Sequence, residues 1–458
     1  MTTDTIAAIA TGLSNAGIGI VRISGDDAFS IIDSIYKPKS GNKILSKENS
    51  HTLHYGYIVE EGQMIDEVMV AIMKAPRTYT RENTIEINCH GGIVVVRKVL
   101  ETVLKHGARI AEPGEFTKRA FLNGRIDLSQ AEAVCDIIHA KNELMLKNSL
   151  NQLRGTVLEL IKDLRMRILR DIAYIEAALD DPEHISLEGF DKELSEHVQE
   201  ESAVIDQLLT ESRNGKIIKE GIKTVIVGKP NAGKSSLLNS LVGDERAIVT
   251  DIAGTTRDTL EETINLNGII LNIIDTAGIR DTKDVIEKIG VEKALKNAMD
   301  ADLIIYVLDS STNLDENDEV ILNLVQNKKT ILLLNKSDLE QQISYEDILK
   351  KTSHKVISIS IKENTGLKEL EKAIKEMFFE GELSFNEDIY ITNERQRESF
   401  MSALESLKLV NGSIDAGMPE DFYSIDLMNA YESLGKVIGE NIEDDLVNMI
   451  FKEFCMGK

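Results

Sequence analysis

The chain has 458 residues, of which 42% are hydrophobic and 28% charged, an ordinary balance for a globular protein. Its formal net charge of −25 argues against non-specific nucleic-acid binding as the main activity, because phosphate binding requires a basic surface. No apolar run is long enough to span a membrane, and the N-terminus lacks a secretory signal pattern. The three cysteines, at 89, 135 and 455, have no zinc-ligand spacing and suit a reducing compartment, so we expect a cytoplasmic protein. The length of the chain allows roughly two to four domains.

Residues 1–118 contain short strand-like runs with helical patterns between them, which predicts a small α+β domain. We expect three strands and then a helix, at residues 18–23, 67–73, 84–88 and 94–104. From residue 129 to residue 179 the apolar residues recur at helical spacing, and Asp180-Asp181-Pro182 ends that run. A further helix is expected at residues 193–211.

Residues 218–378 then alternate strands and helices, as a doubly wound α/β domain does. The last part of the chain, 379–458, is helical again. The simplest arrangement is a single helical domain split in sequence, with parts 119–217 and 379–458. The α/β domain is inserted between the two parts, which a fold tolerates where its chain ends lie close together.

Residues 228–235, Gly-Lys-Pro-Asn-Ala-Gly-Lys-Ser, match the phosphate-loop motif and lie between a strand-like run and a helix expected to begin near Lys234. Gly228 and Gly233 let the backbone turn its N–H groups toward a phosphate, and the helix N-terminus favours the same anion. Lys234 is expected to reach the β- and γ-phosphates, and Ser235 to bind Mg²⁺. The nucleotide-binding residues in this motif are Asn231, Ala232, Gly233, Lys234, Ser235 and Ser236.

Three further motifs follow buried strand-like runs, so a glycine-rich turn without function is a poor alternative. Asp275-Thr276-Ala277-Gly278 places Asp275 to bind Mg²⁺ through water and the Gly278 N–H to sense the γ-phosphate. In Asn335-Lys336-Ser337-Asp338, the Asp338 carboxylate can accept hydrogen bonds from guanine that adenine cannot donate. Ser360-Ile361-Lys362 would complete the base pocket. Four motifs in this order predict a GTP-binding α/β domain.

The whole chain resembles the MnmE family of tRNA modification GTPases, also called TrmE. The resemblance rests on Gly254-Thr255-Thr256-Arg257-Asp258, on the long segment from Glu112 to Arg125, and on the terminal Cys455-Met456-Gly457-Lys458. It implies a dimeric enzyme that acts with a flavin-dependent partner, MnmG. Such proteins install a carboxymethylaminomethyl-type group on carbon 5 of the wobble uridine of certain tRNAs. Their one-carbon unit comes from a 5-formyl- or methylene-tetrahydrofolate bound by the N-terminal domain.

The resemblance also implies how hydrolysis is catalysed, because Ile279 stands where many GTPases place a water-orienting glutamine. It assigns K⁺ to Asn231, Thr250, Ile252 and Thr255, and a second Mg²⁺ ligand to Thr256 beside Ser235. Glu287 would orient the attacking water, so Glu287, Asn231 and Lys234 are the catalytic candidates of the GTPase. A loop-shaping Asn231 and a solvated Glu287 are the simpler alternatives. The nucleotide-binding loop implied here is Thr250, Asp251, Ile252, Ala253, Gly254, Thr255 and Thr256.

For the distant chemistry, the resemblance implies a folate site formed by Arg22, Glu86, Arg125 and Lys458. It makes Cys455 essential for modification, as a nucleophile or covalent holder, although a lone cysteine is more often a small buried residue. Cys89 and Cys135 are expected to be structural. One departure from the family is Thr80-Arg81-Glu82-Asn83, where relatives usually have Thr-Gly-Glu-Asp.

Two other functions remain open at this point. A ribosome-assembly GTPase would be a binding switch without substrate chemistry, and a stand-alone folate enzyme would turn over folate without RNA. The N-terminal domain and the terminal Cys-Met-Gly-Lys favour tRNA modification over both. The basic residues Lys162, Arg165, Arg167 and Arg170 would suit contact with tRNA, but a solvated helix face is the simpler interpretation.

Overall fold

The structure, a computed structural model, describes residues 4–243, 262–274, 301–379, 391–442, 444–452, 454 and 457. The chain divides into two units. Unit one comprises Met1–Cys135, Gln152–Ala177 and Leu427–Lys458, and unit two comprises Asp136–Asn151 and Ala178–Asp426. The domain boundaries at 118, 217 and 378 stay predictions.

Unit one begins with a seven-stranded sheet in the order β3-β4-β5-β6-β2-β1-β7. Its pairs are antiparallel except for the parallel edge pair β1–β7. Two helices supply the buried side chains that pack against it. The elements are β1 (Ile6–Ile9), β2 (Ile18–Ser24), α1 (Ala28–Ile35), β3 (Tyr36–Pro38), β4 (Thr52–Glu60), β5 (Gln63–Met73), β6 (Thr84–His90), α2 (Ile93–Lys105) and β7 (Arg109–Ile110). The predicted α+β fold and the four predicted elements are confirmed.

The alternation along β2 and β6 determines which side chains face away from this core. Val21 and Ile23 are fully buried, whereas Arg22 between them points to the other face of the sheet. In the antiparallel register Arg22 lies opposite Glu86 of β6. A one-residue shift of this register would turn one of the two charges toward the buried core, so the apolar pattern itself keeps the pair together on the opposite face of the sheet.

The remaining described helices are α3 (Glu115–Leu122), α4 (Leu128–Ile138), α5 (Glu143–Leu153), α6 (Thr156–Asp180), α7 (Phe190–Glu220), α8 (Lys234–Gly243), α9 (Glu316–Val325), α10 (Tyr345–Leu349), α11 (Leu367–Phe378), α12 (Glu394–Asp415), α13 (Glu420–Ile438) and α14 (Asp444–Lys452). The helical stretch expected from 129 to 179 is therefore three helices. Asn142 begins α5 by accepting a hydrogen bond from the Met145 N–H, and Gly155, at a φ of 94°, separates α5 from α6.

Unit two contains a six-stranded sheet in the order β13-β12-β11-β8-β10-β9, parallel except for the β9–β10 hairpin. Its strands are β8 (Ile222–Val227), β9 (Glu262–Leu266), β10 (Ile269–Ile273), β11 (Leu303–Asp309), β12 (Thr330–Asn335) and β13 (Lys355–Ser358). Every residue of β12 is buried, as expected for a parallel strand covered on both faces. The predicted doubly wound α/β arrangement is confirmed.

Helix α7 runs almost directly into β8, since only Gly221 separates Glu220 from Ile222. Gly221 has a φ of 79°, and a Cβ there would lie 2.7 Å from Ile270 Cγ2, so this junction requires glycine. The same helix packs along α12, which follows the α/β part of the chain in sequence. This pairing supports the prediction of a helical domain split in sequence.

The beginning of α5 also packs on the sheet of unit two. Leu144 and Met145 belong to the same buried cluster as Ile222 and Leu271. The Asn142 amide donates to the carbonyl of Ile218 at 3.2 Å, which fixes the approach of this segment. Among the described residues, no helix has the length and hydrophobicity needed to cross a membrane.

Candidate nucleotide-binding site

The phosphate-loop residues lie between β8 and α8. Strand β8 has β11 on one side and β10 on the other, so the loop lies where the order of a parallel sheet reverses, which is the usual ligand crevice. Gly228 has a φ of 150°, and a Cβ there would lie 2.3 Å from the Val307 carbonyl oxygen. Gly233 has a φ of 104°, and its Cβ would lie 2.1 Å from Asn335 Nδ2. Both glycines are therefore required by the loop geometry.

The Lys234 ammonium bridges the loop from within. Its Nζ donates to the carbonyl oxygens of Gly228 and Lys229, both at 2.7 Å. Burial lowers the pKa of Lys234, because the half-buried ammonium has lost part of its hydration. An incoming phosphate would restore a charged partner, so the arrangement favours binding of an anion here.

Asn335, at the end of β12, joins the phosphate loop to the expected base pocket. Its Nδ2 donates to the Ala232 carbonyl at 2.8 Å, and its Oδ1 accepts from the Ile361 N–H at 3.4 Å. The side chain is only 3% exposed. Sequence reasoning placed Asn335 beside Asp338 at the base, whereas the structure shows that its amide connects the two loops.

Asp338 is exposed on the loop after β12, and Ser360 Oγ donates to its Oδ1 at 2.7 Å. That hydrogen bond lowers the pKa of Asp338, so the carboxylate is charged at neutral pH. Lys336, at a φ of 64°, pairs with Asp309 at the end of β11. Sequence reasoning missed Asp309, although its place directly after a buried strand-like run was a usable signal. Ser236 and Asn231 are exposed, and Ser235 lies in the first turn of α8.

Several predicted site residues lie outside the part of the chain that the structure describes. They are Thr250, Asp251, Ile252, Ala253, Gly254, Thr255, Thr256, Asp275, Thr276, Ala277, Gly278, Glu287, Cys455 and Lys458. Lys362 follows Ile361 on the loop that the Asn335 amide contacts and is exposed.

A second candidate site lies in unit one, on the sheet face that carries Arg22. The Arg22 guanidinium pairs with Glu86 at 2.8 Å and donates to the Gly457 carbonyl at 3.2 Å. It also lies 5.5 Å from the centre of the Phe116 ring. The structure thus brings Arg22 and Glu86 together with the C-terminal segment, which sequence alone could not establish.

Arg125 lies against Tyr79, with its guanidinium carbon 5.1 Å from the ring centre. Tyr79 packs against the buried cluster that contains Phe116, and its hydroxyl lies 2.9 Å from the Thr117 hydroxyl. Burial raises the pKa of Tyr79, so its hydroxyl stays neutral. Each arginine of the candidate site therefore lies against an aromatic ring, and Tyr79 and Phe116 were not among the predicted site residues.

The loop that carries Tyr79 is fastened to the segment that carries Arg125. Arg81 has a φ of 60°, a conformation that costs a non-glycine residue on the order of 1 kcal/mol. Its Nη1 donates to the Asn123 carbonyl at 2.8 Å, and the Asn123 amide donates to the Thr80 carbonyl at 2.6 Å. The Arg81 side chain thus ties its own loop to the turn at Asn123.

A buried ion network explains part of the Glu112–Arg125 motif. Glu115 accepts hydrogen bonds from Arg109 at 2.7 Å, from Arg119 at 3.0 Å and from the Glu112 N–H at 2.8 Å. Burial alone would raise the pKa of Glu115, but these donors outweigh it and lower the pKa. The motif therefore holds α3, and with it Phe116, under the Arg22 side chain.

The described cysteines have structural surroundings. Cys89 is buried in β6, and its Sγ donates to the Gly19 carbonyl at 3.3 Å. Burial raises its pKa to about 11, so the thiol is protonated and unreactive at neutral pH. Cys135 is half-buried in α4.

The basic residues of α6 are largely paired with carboxylates. Arg165 pairs with Glu440 at 2.6 Å and lies 4.0 Å from the centre of the Tyr431 ring. Lys162 and Arg167 pair with acidic residues on the same helix. These partners favour the solvated helix face over a tRNA contact.

A phosphate loop at the strand-order reversal, joined through Asn335 to an Asn-Lys-x-Asp loop, defines a P-loop GTPase. Two family models match the chain, the MnmE helical domain over residues 128–455 and the GTP-binding protein TrmE N-terminus over residues 5–125. The chain therefore belongs to the MnmE family of tRNA modification GTPases.

Curated relatives agree over their full length. The tRNA modification GTPase MnmE of Lachnoclostridium phytofermentans is 64% identical, with 100% of each chain covered. The MnmE of Enterococcus faecalis is 47% identical over 99% of this chain and 98% of its own. Among solved structures, the G domain of the T. maritima FeoB iron transporter is 28% identical, with a TM-score of 0.27, and covers 34% of this chain and 98% of its own.

Proposed function

We propose that this GTPase is activated by K⁺ and drives modification of the wobble uridine of certain tRNAs. It acts with a flavin-dependent partner of the MnmG type and uses a tetrahydrofolate one-carbon unit to install a carboxymethylaminomethyl-type group. The proposal includes a cytoplasmic homodimer whose residues 1–118 bind folate and form the dimer contact. The observation that carries it is the Arg22–Glu86 pair beside Phe116 and Tyr79, in a chain that matches MnmE proteins over its whole length.

The chemistry of the second site suits a folate. A carboxylate such as Glu86 can accept from the amide-like edge of a pterin, whereas Arg22 and Arg125 suit ring carbonyls or the folate's own carboxylates. The rings of Tyr79 and Phe116 hold these arginines in place. Lys458 and Cys455 are proposed to act beside them, the first in folate binding and the second in the modification step.

In the GTPase site, Lys234 would contact the β- and γ-phosphates, and Ser235 with Thr256 would hold Mg²⁺. Mg²⁺ neutralises phosphate charge when it is bound.

The carbonyl oxygen of the Asn231 side chain is a suitable K⁺ ligand, and Asn231 lies exposed in the loop at a φ of 61°. Thr250, Ile252 and Thr255 would complete the K⁺ site, and Glu287 would orient the water. Asp338, Ser360, Ile361 and Lys362 would surround the guanine.

We expect GTP hydrolysis to be at least about tenfold faster in K⁺ than in Na⁺, because K⁺ replaces an arginine finger in the charge balance. Asn231→Ala should remove this difference. The exposed Asn239 of α8 provides the control, since Asn239→Ala leaves the loop unchanged. Phosphate release is measured at matched ionic strength. Equal rates in the two salts for the wild type would refute K⁺ activation.

Glu86→Gln should weaken binding of 5-formyltetrahydrofolate by about tenfold to a hundredfold, because a charge-assisted hydrogen bond is lost. GTP hydrolysis should be unchanged. Calorimetric titration measures the affinity, and Glu67→Gln on the neighbouring strand, whose carboxylate pairs with Lys39 near the surface, is the matched control. Undiminished folate affinity in Glu86→Gln would contradict the pocket.

The same variants test the function in cells. Mass analysis of tRNA nucleosides from cells lacking the gene should show loss of a carbon-5-modified uridine. Wild type and Glu67→Gln should restore it, whereas Glu86→Gln and Cys455→Ser should not. An unchanged nucleoside profile in the deletion strain would instead favour a ribosome-assembly GTPase.

A further inference from the structure

Lys229, the second residue of the phosphate loop, forms an ion cluster with the N-terminus of α9. Its Nζ lies 2.7 Å from Asp315 Oδ2 and 2.5 Å from Asp318 Oδ2. Asp318 is only 2% exposed, and the buried Tyr306 of β11 donates its hydroxyl to Asp318 Oδ1 at 2.7 Å. The cluster therefore connects the phosphate loop to the helix α9 and to the strand β11.

The two carboxylates are fixed in place by the helix that they begin. Asp315 is the N-cap of α9 and accepts from the Asn317 and Asp318 N–H groups. Asp318 in turn accepts from the Asp315 N–H at 3.0 Å, which completes a capping box. Since both side chains are held by the backbone, they form a rigid support on which the Lys229 ammonium docks.

The backbone of Lys229 faces the nucleotide side of the loop. Its carbonyl oxygen accepts from Lys234 Nζ at 2.7 Å and from the Ala232 N–H at 3.3 Å. The side chain of Lys229 is thus anchored on α9, while its carbonyl holds the lysine expected to bind the phosphates. The Lys229 side chain therefore supports the loop backbone that receives the phosphates.

Charge balance gives Lys229 a second effect. The two aspartates carry opposite charge to Lys229 and the same sign as a nucleotide triphosphate. Burial by itself would lower the pKa of Lys229, but the bonds to Asp315 and Asp318 outweigh it and raise the pKa, so the ammonium is charged at neutral pH. Without it, two uncompensated carboxylates would lie beside the loop and repel the phosphates.

We propose that Lys229 is a positioning residue for nucleotide binding. Its side chain fixes the phosphate loop on α9 and neutralises the negative charge of Asp315 and Asp318 beside the triphosphate. It acts on the affinity for GTP and not on the hydrolysis step at saturation. Because GTP carries one more negative charge than GDP, its affinity depends more strongly on Lys229.

The full-length Lys229→Met variant should raise KM for GTP by about tenfold, with kcat within about twofold of wild type, as expected for one charge removed from a partly screened site. Lys229→Arg should restore KM, since arginine can pair with the same carboxylates. Titration with fluorescent GTP and GDP should show a larger loss for GTP, and the loss should shrink at high salt.

A second substitution separates this role from a loss of folding stability. Asp315→Asn keeps the N-cap, because asparagine caps helices as well as aspartate does, but it removes one negative charge. In the Lys229→Met background it should recover at least about threefold in GTP affinity. The control is Lys351→Met, which breaks an exposed ion pair with Glu319 of α9 and should leave KM unchanged.

Three outcomes would overturn the proposal. The first is an unchanged KM in Lys229→Met, and the second is a fall in kcat at constant KM. The third is a Lys229→Arg variant as defective as Lys229→Met, together with no recovery by Asp315→Asn. Thermal melting of each variant is recorded alongside, and a lower melting temperature with unchanged KM would show a purely structural role.

Discussion

Replacing Asp338 by asparagine should weaken GTP binding by about a hundredfold to a thousandfold and create affinity for xanthosine triphosphate. The Asp338 carboxylate is charged, since the Ser360 hydroxyl donates to it and lowers its pKa. In the variant, the guanine ring N–H and exocyclic amine lose a charged acceptor. Xanthine has a carbonyl oxygen in place of that amine, and the asparagine amide can donate to it.

Displacement of fluorescently labelled GTP from the protein, by GTP or by xanthosine triphosphate, measures this change in base preference. The control is Asp347→Asn in α10, where an exposed aspartate pairs with Lys350 away from the expected base pocket. Unchanged GTP affinity in Asp338→Asn would mean that Asp338 does not contact the base. Loss of GTP affinity without any gain for xanthosine triphosphate would indicate that the loop has lost its shape.

Gly233→Ala should reduce nucleotide affinity by at least about a hundredfold, since both the backbone conformation and the space exclude a side chain. The φ of 104° is strained for alanine, and the new Cβ would lie 2.1 Å from Asn335 Nδ2. Asn335 would have to move, which would break its bonds to Ala232 and Ile361. One methyl group would thus disturb the phosphate loop and the base loop together.

Binding of fluorescent GTP and circular dichroism together test this prediction. The fold should persist, because the substitution lies in a loop. Gly412→Ala is the matched control: a Cβ at Gly412, inside α12, would meet nothing within 4 Å, so alanine there should stabilise the helix slightly. Near wild-type GTP affinity in Gly233→Ala would show that the loop can adapt.

The elements that the sequence predicted well are those with a strong local pattern. The apolar runs before the phosphate loop and before Asn335 are the strands β8 and β12, because parallel strands buried on both faces are almost continuously hydrophobic. The helix after the phosphate loop begins at Lys234, as the motif requires. The end of α6 at Asp180, just before Asp181-Pro182, follows from the restriction that proline imposes on its neighbour.

Other elements depend on contacts between distant parts of the chain. Strand β7 has two exposed residues and exists only through its pairing with β1, so no local pattern could indicate it. The register that sets Arg22 opposite Glu86 is also a property of the assembled sheet. Only the family resemblance gave these two residues a shared role in advance.

The residues of the nucleotide-binding site show the same difference between local patterns and long-range contacts. The chemistry of Lys234 and Asp338 is contained in short motifs, whose spacing reflects how a loop wraps a phosphate or reaches a base. The bridging role of Asn335 and the docking of Lys229 on α9 need the positions of β12 and α9, which lie about a hundred residues further along the chain. Ion pairs of this kind leave no periodic trace in a sequence.

The direct junction of α7 with β8 has a consequence for synthesis on the ribosome. Helix α7 leaves the exit tunnel before the α/β sheet is made, whereas its partner α12 leaves only after that sheet is complete. The apolar side chains of α7 that pack on α12 therefore stay exposed while the intervening domain folds, since domains generally fold as units during translation. An inserted domain that folds quickly would bring Glu220 and Glu394 within reach of each other, so a slowly translated or unstable insert would expose the nascent helical domain to aggregation.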